Sequence, residues 1–526
     1  MKTARLAGVC LLAMAAFAAY HFYLRGLMLD TGLQLGAVRP GKTVYRIVPL
    51  YIHARPRLKT GVLIAAATLA AFIYWARRAI AAAETSPDAT ALPAHSSPHA
   101  PREESRGAPS QDYSPARSRL RNKSGRDSRL RPEFLRIPLR SMPRRRRLLL
   151  AATFAVWQIA IAVSVALIDG GVHTLWKPYQ EYHNSDYIGA VERIESPSAF
   201  LRDYPRLMPA LPLHCRSHPP GGPLFLWLVA QLFGPGPRAA SLATILTASL
   251  AAPAVYLLAA EVLSEAAARL AAALFLLAPN VVCYTATCLD AVFMAPLVWS
   301  CYFLYVGRRT SPLASGIAGG VAAALAALMT FSASFVALWS IVHLVATALF
   351  DRARWRNAAI TLVAAVVTAA VFYGLLHAAS GYEPLAVLRQ AFAGQAEAMS
   401  GRGHSSWRQS AHFAVANLAA FLFCAGVPVS WLWLRQTMRE CRRDTSSAAR
   451  CLLVSFGLTL LLIDLAPLYT LETERIWIFL LGFLAIGAAA RLAQTERLGA
   501  SPLIAAALAF TAAQTIVMEA LFDWRW

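Results

Sequence analysis

The chain has 526 residues, 57% of them hydrophobic and only 15% charged, where a soluble domain carries about a quarter charged residues. Its mean hydropathy is +0.47 and its formal net charge +22. Continuous Ala/Leu/Val runs, many of them long enough to cross about 30 Å of hydrocarbon as a helix, exclude a soluble protein, and the lack of alternating ten-residue segments excludes a membrane β-barrel. The positive charge does not point to nucleic acid, because the arginines cluster in short segments between apolar runs, as positive-inside topology distributes them.

Residues 1–84 hold two apolar segments, at about 6–23 and 61–76. The first follows Lys2 and Arg5 and reads as a signal anchor or a cleaved signal peptide. The loop between the two is basic, which fits poorly with a place outside the cell. Within it, Gly36-Ala-Val-Arg-Pro-Gly41-Lys42-Thr43 matches the P-loop pattern letter for letter. A P-loop needs a buried strand before it and a parallel sheet around it, and thirty-odd residues between two membrane segments cannot supply them, so ATP binding is rejected. Residues 85–147 are rich in Pro, Ser and Arg and lack apolar periodicity. They read as a disordered cytoplasmic linker, too polar to offset the entropy of ordering. The linker ends in Arg144–Arg147, which fix the cytoplasmic side at the start of the next apolar run.

Residues 148–526 read as an all-α polytopic core of about eleven membrane helices. Spans fall at 148–168, 238–262, 267–280, 290–306, 313–331, 334–350, 357–377, 410–435, 450–466, 476–490 and 501–520. Two large outer loops, 169–221 and 378–409, interrupt them. The apolar piece 222–234 is bounded by Gly and Pro and is too short to span, so it reads as interfacial or re-entrant. Arg269, Arg308/Arg309, Arg352/Arg354/Arg356, Arg435/Arg439/Arg442/Arg443 and Arg491/Arg497 then all fall on inner loops. A full span at 222–234 would turn every one of these clusters outward. The eight cysteines follow no metal-ligand spacing. Cys215, Cys283 and Cys288 fall near the outer face, which leaves a disulfide there open.

This topology collects polar residues on the outer face. The first outer loop contains Glu181, His183, Asn184-Ser185-Asp186-Tyr187 and Glu192-Arg193, and it closes with His214-Cys-Arg216-Ser-His218-Pro219-Pro220. Asp290 opens a helix after the next outer turn, and a later turn reads Tyr469-Thr-Leu-Glu472-Thr-Glu474-Arg475-Ile-Trp477. Ionisable groups at the hydrocarbon boundary are costly and mark sites. Glycosyl transfer needs a carboxylate to take the proton of the incoming hydroxyl and a cation to hold the departing phosphate. The same residues also have plainer readings. Asp186 and Asp290 could cap helices, His218 could sit in a rigid turn before two prolines, and Glu472, Glu474 and Arg475 could be a local ion pair. Glu192 and Arg193 read as a solvated face. Residues 401–412, with Arg402, His404, Trp407 and Arg408, suit either a lipid phosphate or an ordinary interface. His343, alone within a span, reads as packed and hydrogen-bonded.

Residues 148–490 resemble the multi-pass GT-C glycosyltransferases, in the branch of bacterial relatives of protein O-mannosyltransferases and lipid A aminoarabinose transferase. Asp186-Tyr187 matches an acidic motif in the first outer loop, and His218-Pro219-Pro220 a His-Pro-Pro before a short apolar helix. Asp290 matches an Asp opening the helix after the second outer turn, and Glu472-Thr-Glu474-Arg475-Ile476-Trp477 a segment near the end. The resemblance implies a GT-C fold and transfer, with inversion, of a sugar from a polyprenyl-phosphate donor to an extracytoplasmic acceptor, within a cytoplasmic membrane and its lipids. It implies Asp186 as general base, with Glu181 the rival, and Asp290 as a supporting acid. Arg475 and His218 would lie toward the donor phosphate, with Glu472 and Glu474 beside them. Tyr187 departs from the Asp-Glu pair of many relatives, and residues 1–147 have no counterpart. No cofactor is assigned, and a divalent metal stays open. The alternatives are a transporter or flippase for a lipid-linked glycan, which needs polar groups along the spans, and a non-catalytic scaffold whose basic linker binds anionic lipid.

Overall fold

The computed structural model describes residues 2–31, 46–47, 49–50, 52–56, 60–85, 143–181, 184–401, 407–442, 448–466, 469 and 472–524. The P-loop-like stretch, nearly all of the linker 85–147, His183 and residues 402–406 lie outside them. The described chain is helical throughout, apart from a ribbon of three very short antiparallel strands, Arg46–Ile47, Ile52–Ala54 and Phe522–Asp523. Nine described helices are long and apolar enough to cross a membrane, and eleven are if each of two bent pairs counts as one.

Side-chain ties sort the helix ends into two groups. At one end Lys2 pairs with Glu496 at 2.6 Å, and Glu84 accepts from the backbone N–H groups of Leu498 and Gly499. Arg269 reaches the carbonyl of Ala79, Arg309 pairs with Glu261, and Arg354 pairs with Asp351. At the other end Gly61 abuts the backbone of Leu167 and Ile168, Gly221 abuts that of Leu328, and the Arg55 N–H donates to Leu521 at 2.7 Å. The expected inner loops therefore share one basic end, and the expected outer motifs share the other. Asp290–Val306 and Ile478–Ala493 are shorter apolar helices, yet each runs between the two ends; seventeen residues rise about 25 Å.

The short helix Gly221–Phe233 keeps both of its ends at the acidic-motif end. Gly221 lies beside Leu328, and the chain leaves through Gly234 and Gly236 into the helix Pro237–Ser249. That helix starts with Arg238 stacked over Trp176 and with Ser241 donating to the carbonyl of Leu175. The apolar piece 222–234 thus does not cross, as the charge pattern required.

The described residues of the loop between the first two helices lie at the acidic-motif end. There Ile52–Ala54 pairs with Phe522–Asp523, and Arg55 pairs with Asp523 at 3.3 Å. The first two spans fit the register, and this loop departs from positive-inside spacing. Two spans are bent. Pro279 bends Glu265–Leu277 against Pro279–Thr285 by 58°, because the residue before proline is held extended. The expected single pass 410–435 is corrected to two helices meeting at 114°. Gly426 breaks the helix at φ +95, a conformation only glycine takes freely. Gln514 satisfies the broken turn, accepting from the Val427 N–H at 2.9 Å and donating to the Phe423 carbonyl at 2.8 Å. The outer loop 378–409 contains a helix, Pro384–Gly401, built of good helix formers that make no long apolar run. All eight cysteines are free thiols, so no disulfide joins Cys215, Cys283 or Cys288.

Helix Pro312–Met329 lies closely against Trp355–Ser380 through glycines spaced as in a membrane dimer motif. A Cβ on Gly316 would meet Ala364 Cβ at 2.6 Å, and one on Gly320 would meet the Ala365 carbonyl oxygen at 2.5 Å. The obstacles include backbone, so they cannot rotate away. Gly320→Leu is expected to part these helices and cost about 1–3 kcal/mol, read as a lowered unfolding midpoint in detergent; an unchanged midpoint would show that the contact is not close.

Candidate active site

The turn before Asp290 is the hub of the acidic-motif end. Asn184 opens the helix Asn184–Val191, and its amide donates to the Thr287 carbonyl at 2.8 Å and accepts from the Leu289 N–H at 3.3 Å. Two motifs a hundred residues apart are thereby fastened together, with Asp186 two positions from the amide and Asp290 one position beyond Leu289. The Thr287 hydroxyl lies between the carbonyls of Cys283 at 2.7 Å and Trp524 at 3.0 Å. The buried Trp524 ring meets Tyr284 edge-on at 5.1 Å.

Asp290 is the first residue of its helix, its side chain is 7% exposed, and it pairs with Arg475. Arg475 also pairs with Glu472, three residues earlier, and donates to the Cys288 sulfur at 3.7 Å. One guanidinium therefore lies between two carboxylates. Breaking a buried pair of this kind by removing one partner costs about 3–5 kcal/mol, since the other charge is left in a poor dielectric. Glu472 is the one non-glycine residue among those described with positive φ, at φ +67 and ψ 19. A left-handed backbone costs about 1–2 kcal/mol for a residue with a Cβ. Its carbonyl accepts from the N–H groups of Arg475 and Ile476, both at 2.9 Å, which closes the tight turn that aims the guanidinium.

His218 and Asp290 line a small pocket together with Phe293, Thr330, Ser332 and Ile476. The imidazole lies 5.7 Å from the Phe293 ring, and its Nδ1 has no hydrogen-bond partner. Burial, and then the nearby Arg475 charge, push its pKa down to about 3, which favours the neutral imidazole in the donor-free protein. Tyr187 fills a structural place: its ring lies against Gly222, and its hydroxyl donates to the His214 carbonyl at 3.2 Å. Burial raises that phenol well above its ordinary range.

The other candidates separate. Glu474 is fully buried, faces Tyr284 and Cys424 rather than the pocket, and offers its carbonyl to Asn280 at 3.1 Å. Glu181 is 58% exposed and pairs with Lys177 at 3.3 Å. Glu192 and Arg193 are exposed, with Arg193 on the Ala210 carbonyl. Four residues that sequence reasoning passed over hold the frame: Asn184, Thr287, Asn417 and Trp524. Asn417 donates to the Tyr469 carbonyl at 2.9 Å and accepts from the Thr473 hydroxyl at 2.8 Å, which pins the Arg475 loop. Asn184 carried a signal, as an uncharged amide buried at a helix start, but an amide there also reads as a cap; Asn417 lies in mid-helix. Among the described residues no three His, Cys, Asp or Glu side chains form a metal-binding group.

Because the fold refuses a proton that the unfolded chain accepts, stability is expected to fall as pH drops from about 6.5 toward 3. His218→Gln should flatten that dependence in thermal unfolding between pH 7 and 5; an identical slope in both proteins would place His218 in a wetter site.

A family model described as dolichyl-phosphate-mannose-protein mannosyltransferase matches residues 217–376. The match takes in His218, Asp290 and the glycine-packed helices, and leaves Asp186 and Arg475 outside. No curated protein matches the chain. On a polytopic helical fold, this match supports the GT-C glycosyltransferase superfamily for this chain.

Proposed function

We propose that the protein transfers a hexose, mannose in the first instance, from a polyprenyl-phosphate carrier to a hydroxyl acceptor, lipid, glycan or protein. The acidic-motif end would face the extracytoplasmic side of a cytoplasmic membrane, because the opposite end carries the arginine clusters. The choice of mannose follows the description of the matched family.

In this reading the Asp186 carboxylate takes the proton of the acceptor hydroxyl and later returns it to water. The acceptor oxygen forms the new bond to the sugar's C1. The bond from C1 to the phosphate oxygen breaks, its electron pair staying on the polyprenyl phosphate. Arg475 meets the charge that grows there, and such fixed cations in a dry site act more strongly than in water. Asp290 keeps the guanidinium aimed. Neutral His218 lines the pocket as a hydrogen-bonding group. Attack opposite the leaving phosphate inverts C1.

The observation that carries the reading is the Asn184 bridge. It holds the Asp186 helix to the turn bearing Asp290, within one ion pair of the only arginine in the segment 472–476. Glu181 is the less favoured base because its carboxylate is exposed and spent on Lys177. Asp186→Asn is expected to lower transfer from labelled polyprenyl-phosphate mannose by about 100- to 10,000-fold, with unchanged expression and unfolding midpoint. Normal turnover in Asp186→Asn together with loss in Glu181→Gln would move the base to Glu181.

A further inference from the structure

Arg475 holds two carboxylates, and the two are not equivalent. Asp290 is fixed: it begins a seventeen-residue helix, and its turn is fastened by Asn184 and Thr287. Glu472 is the movable partner. Its side chain is 19% exposed against 7% for Asp290, and it precedes a helix of only four residues, Thr473–Ile476. Its backbone sits in the left-handed region that disfavours a side chain.

One guanidinium between two carboxylates leaves the trio with a net negative charge. A phosphate arriving there meets like charge unless one carboxylate withdraws. A bare arginine in the same place would be an uncompensated buried cation, which is costlier still.

We propose that, in the donor-free protein, the Glu472 carboxylate occupies the place on Arg475 that the donor's phosphate takes, and that it swings away when the donor binds. Phosphate and carboxylate both offer paired oxygens to the guanidinium fork, so one can replace the other without moving Arg475. Asp290 stays in contact throughout and preserves the aim. The left-handed backbone of Glu472 makes its departure easier, because the exchange relaxes a conformation held partly by that ion pair. The inference rests on the reading of Arg475 as the phosphate clamp.

The test is equilibrium binding of radiolabelled undecaprenyl phosphate to the full chain in nanodiscs. Removing a competing anion should tighten binding, so Glu472→Gln is expected to bind about tenfold more tightly than the unmodified protein. Glu472→Gly should do the same, since glycine adopts the local φ freely and Asp290 still pairs with Arg475. The double variant Glu472→Gln/Arg475→Gln should bind no more tightly than Arg475→Gln alone, because the competition exists only on Arg475. Unchanged or weaker binding in Glu472→Gln and Glu472→Gly overturns the placeholder while leaving the clamp intact, provided Arg475→Gln has lost binding. Normal binding in Arg475→Gln overturns the clamp and the placeholder with it.

Discussion

A cation near hydrocarbon must have an anion, and where that anion comes from organises this end of the molecule. Arg475 cannot be buried alone, because an unpaired guanidinium in a poor dielectric costs several kcal/mol. The chain supplies carboxylates from two directions: Asp290 from a distant helix, and Glu472 from its own turn. Each is held differently, one by a rigid helix and one by a strained loop. On the proposed reading, that asymmetry lets a single arginine be stable without substrate and still receptive to it.

Uncharged groups do the positioning. Asn184, Asn280 and Asn417 each join a loop to a helix through carbonyl groups that would otherwise be unsatisfied at a helix end. Neutral amides suit the task because their desolvation costs far less than that of a charge. They also leave the local field to Asp186, Asp290, Glu472 and Arg475. The residues 52–55 and 522–524 reinforce the same turn from the other side, through the Thr287 hydroxyl and the Trp524 ring. Pieces from four regions of sequence therefore converge on the few residues preceding Asp290.

Much of this was legible in the sequence, for a physical reason. Arginine spacing and apolar run length are properties of single segments, and together they placed every expected inner loop at one end of the bundle. The same count kept Gly221–Phe233 from crossing. Asp290, Glu472 and Arg475 were legible because charge at a membrane boundary is rare. The placement of Glu474 was not: four successive polar residues at a turn give no hint that one faces the core while its neighbour reaches Asp290. The break at Gly426 was hidden because Gly and Pro428 sit inside an apolar run, and one of the groups that hold the bend, Gln514, comes nearly ninety residues later. The basic loop before Gly61 misled because the loop-charge rule is statistical, and Asp523 supplies a local counter-charge.

The transporter alternative turns on whether a polar route runs along the spans. One candidate is His343, beside a second small pocket that Trp339, Ser340 and Leu304 also line. His343 lies 3.3 Å from the Ser455 hydroxyl and stacks on the Trp339 ring at 5.0 Å. The Ser455 hydroxyl also reaches the Leu452 carbonyl at 3.1 Å, which ties the imidazole to the neighbouring helix. Toward the basic end Tyr305 comes next, with Arg308 stacked on it at 3.9 Å and paired with Asp351. Toward the other end Phe483 and Phe335 close the path with aromatic contacts. A charged headgroup moving this way would have to part stacked rings on one side and a buried arginine on the other. The polar cluster around His343 is thus a packed anchor for neighbouring helices, and on the proposed reading a lipid-linked sugar meets charge at the acidic-motif end instead.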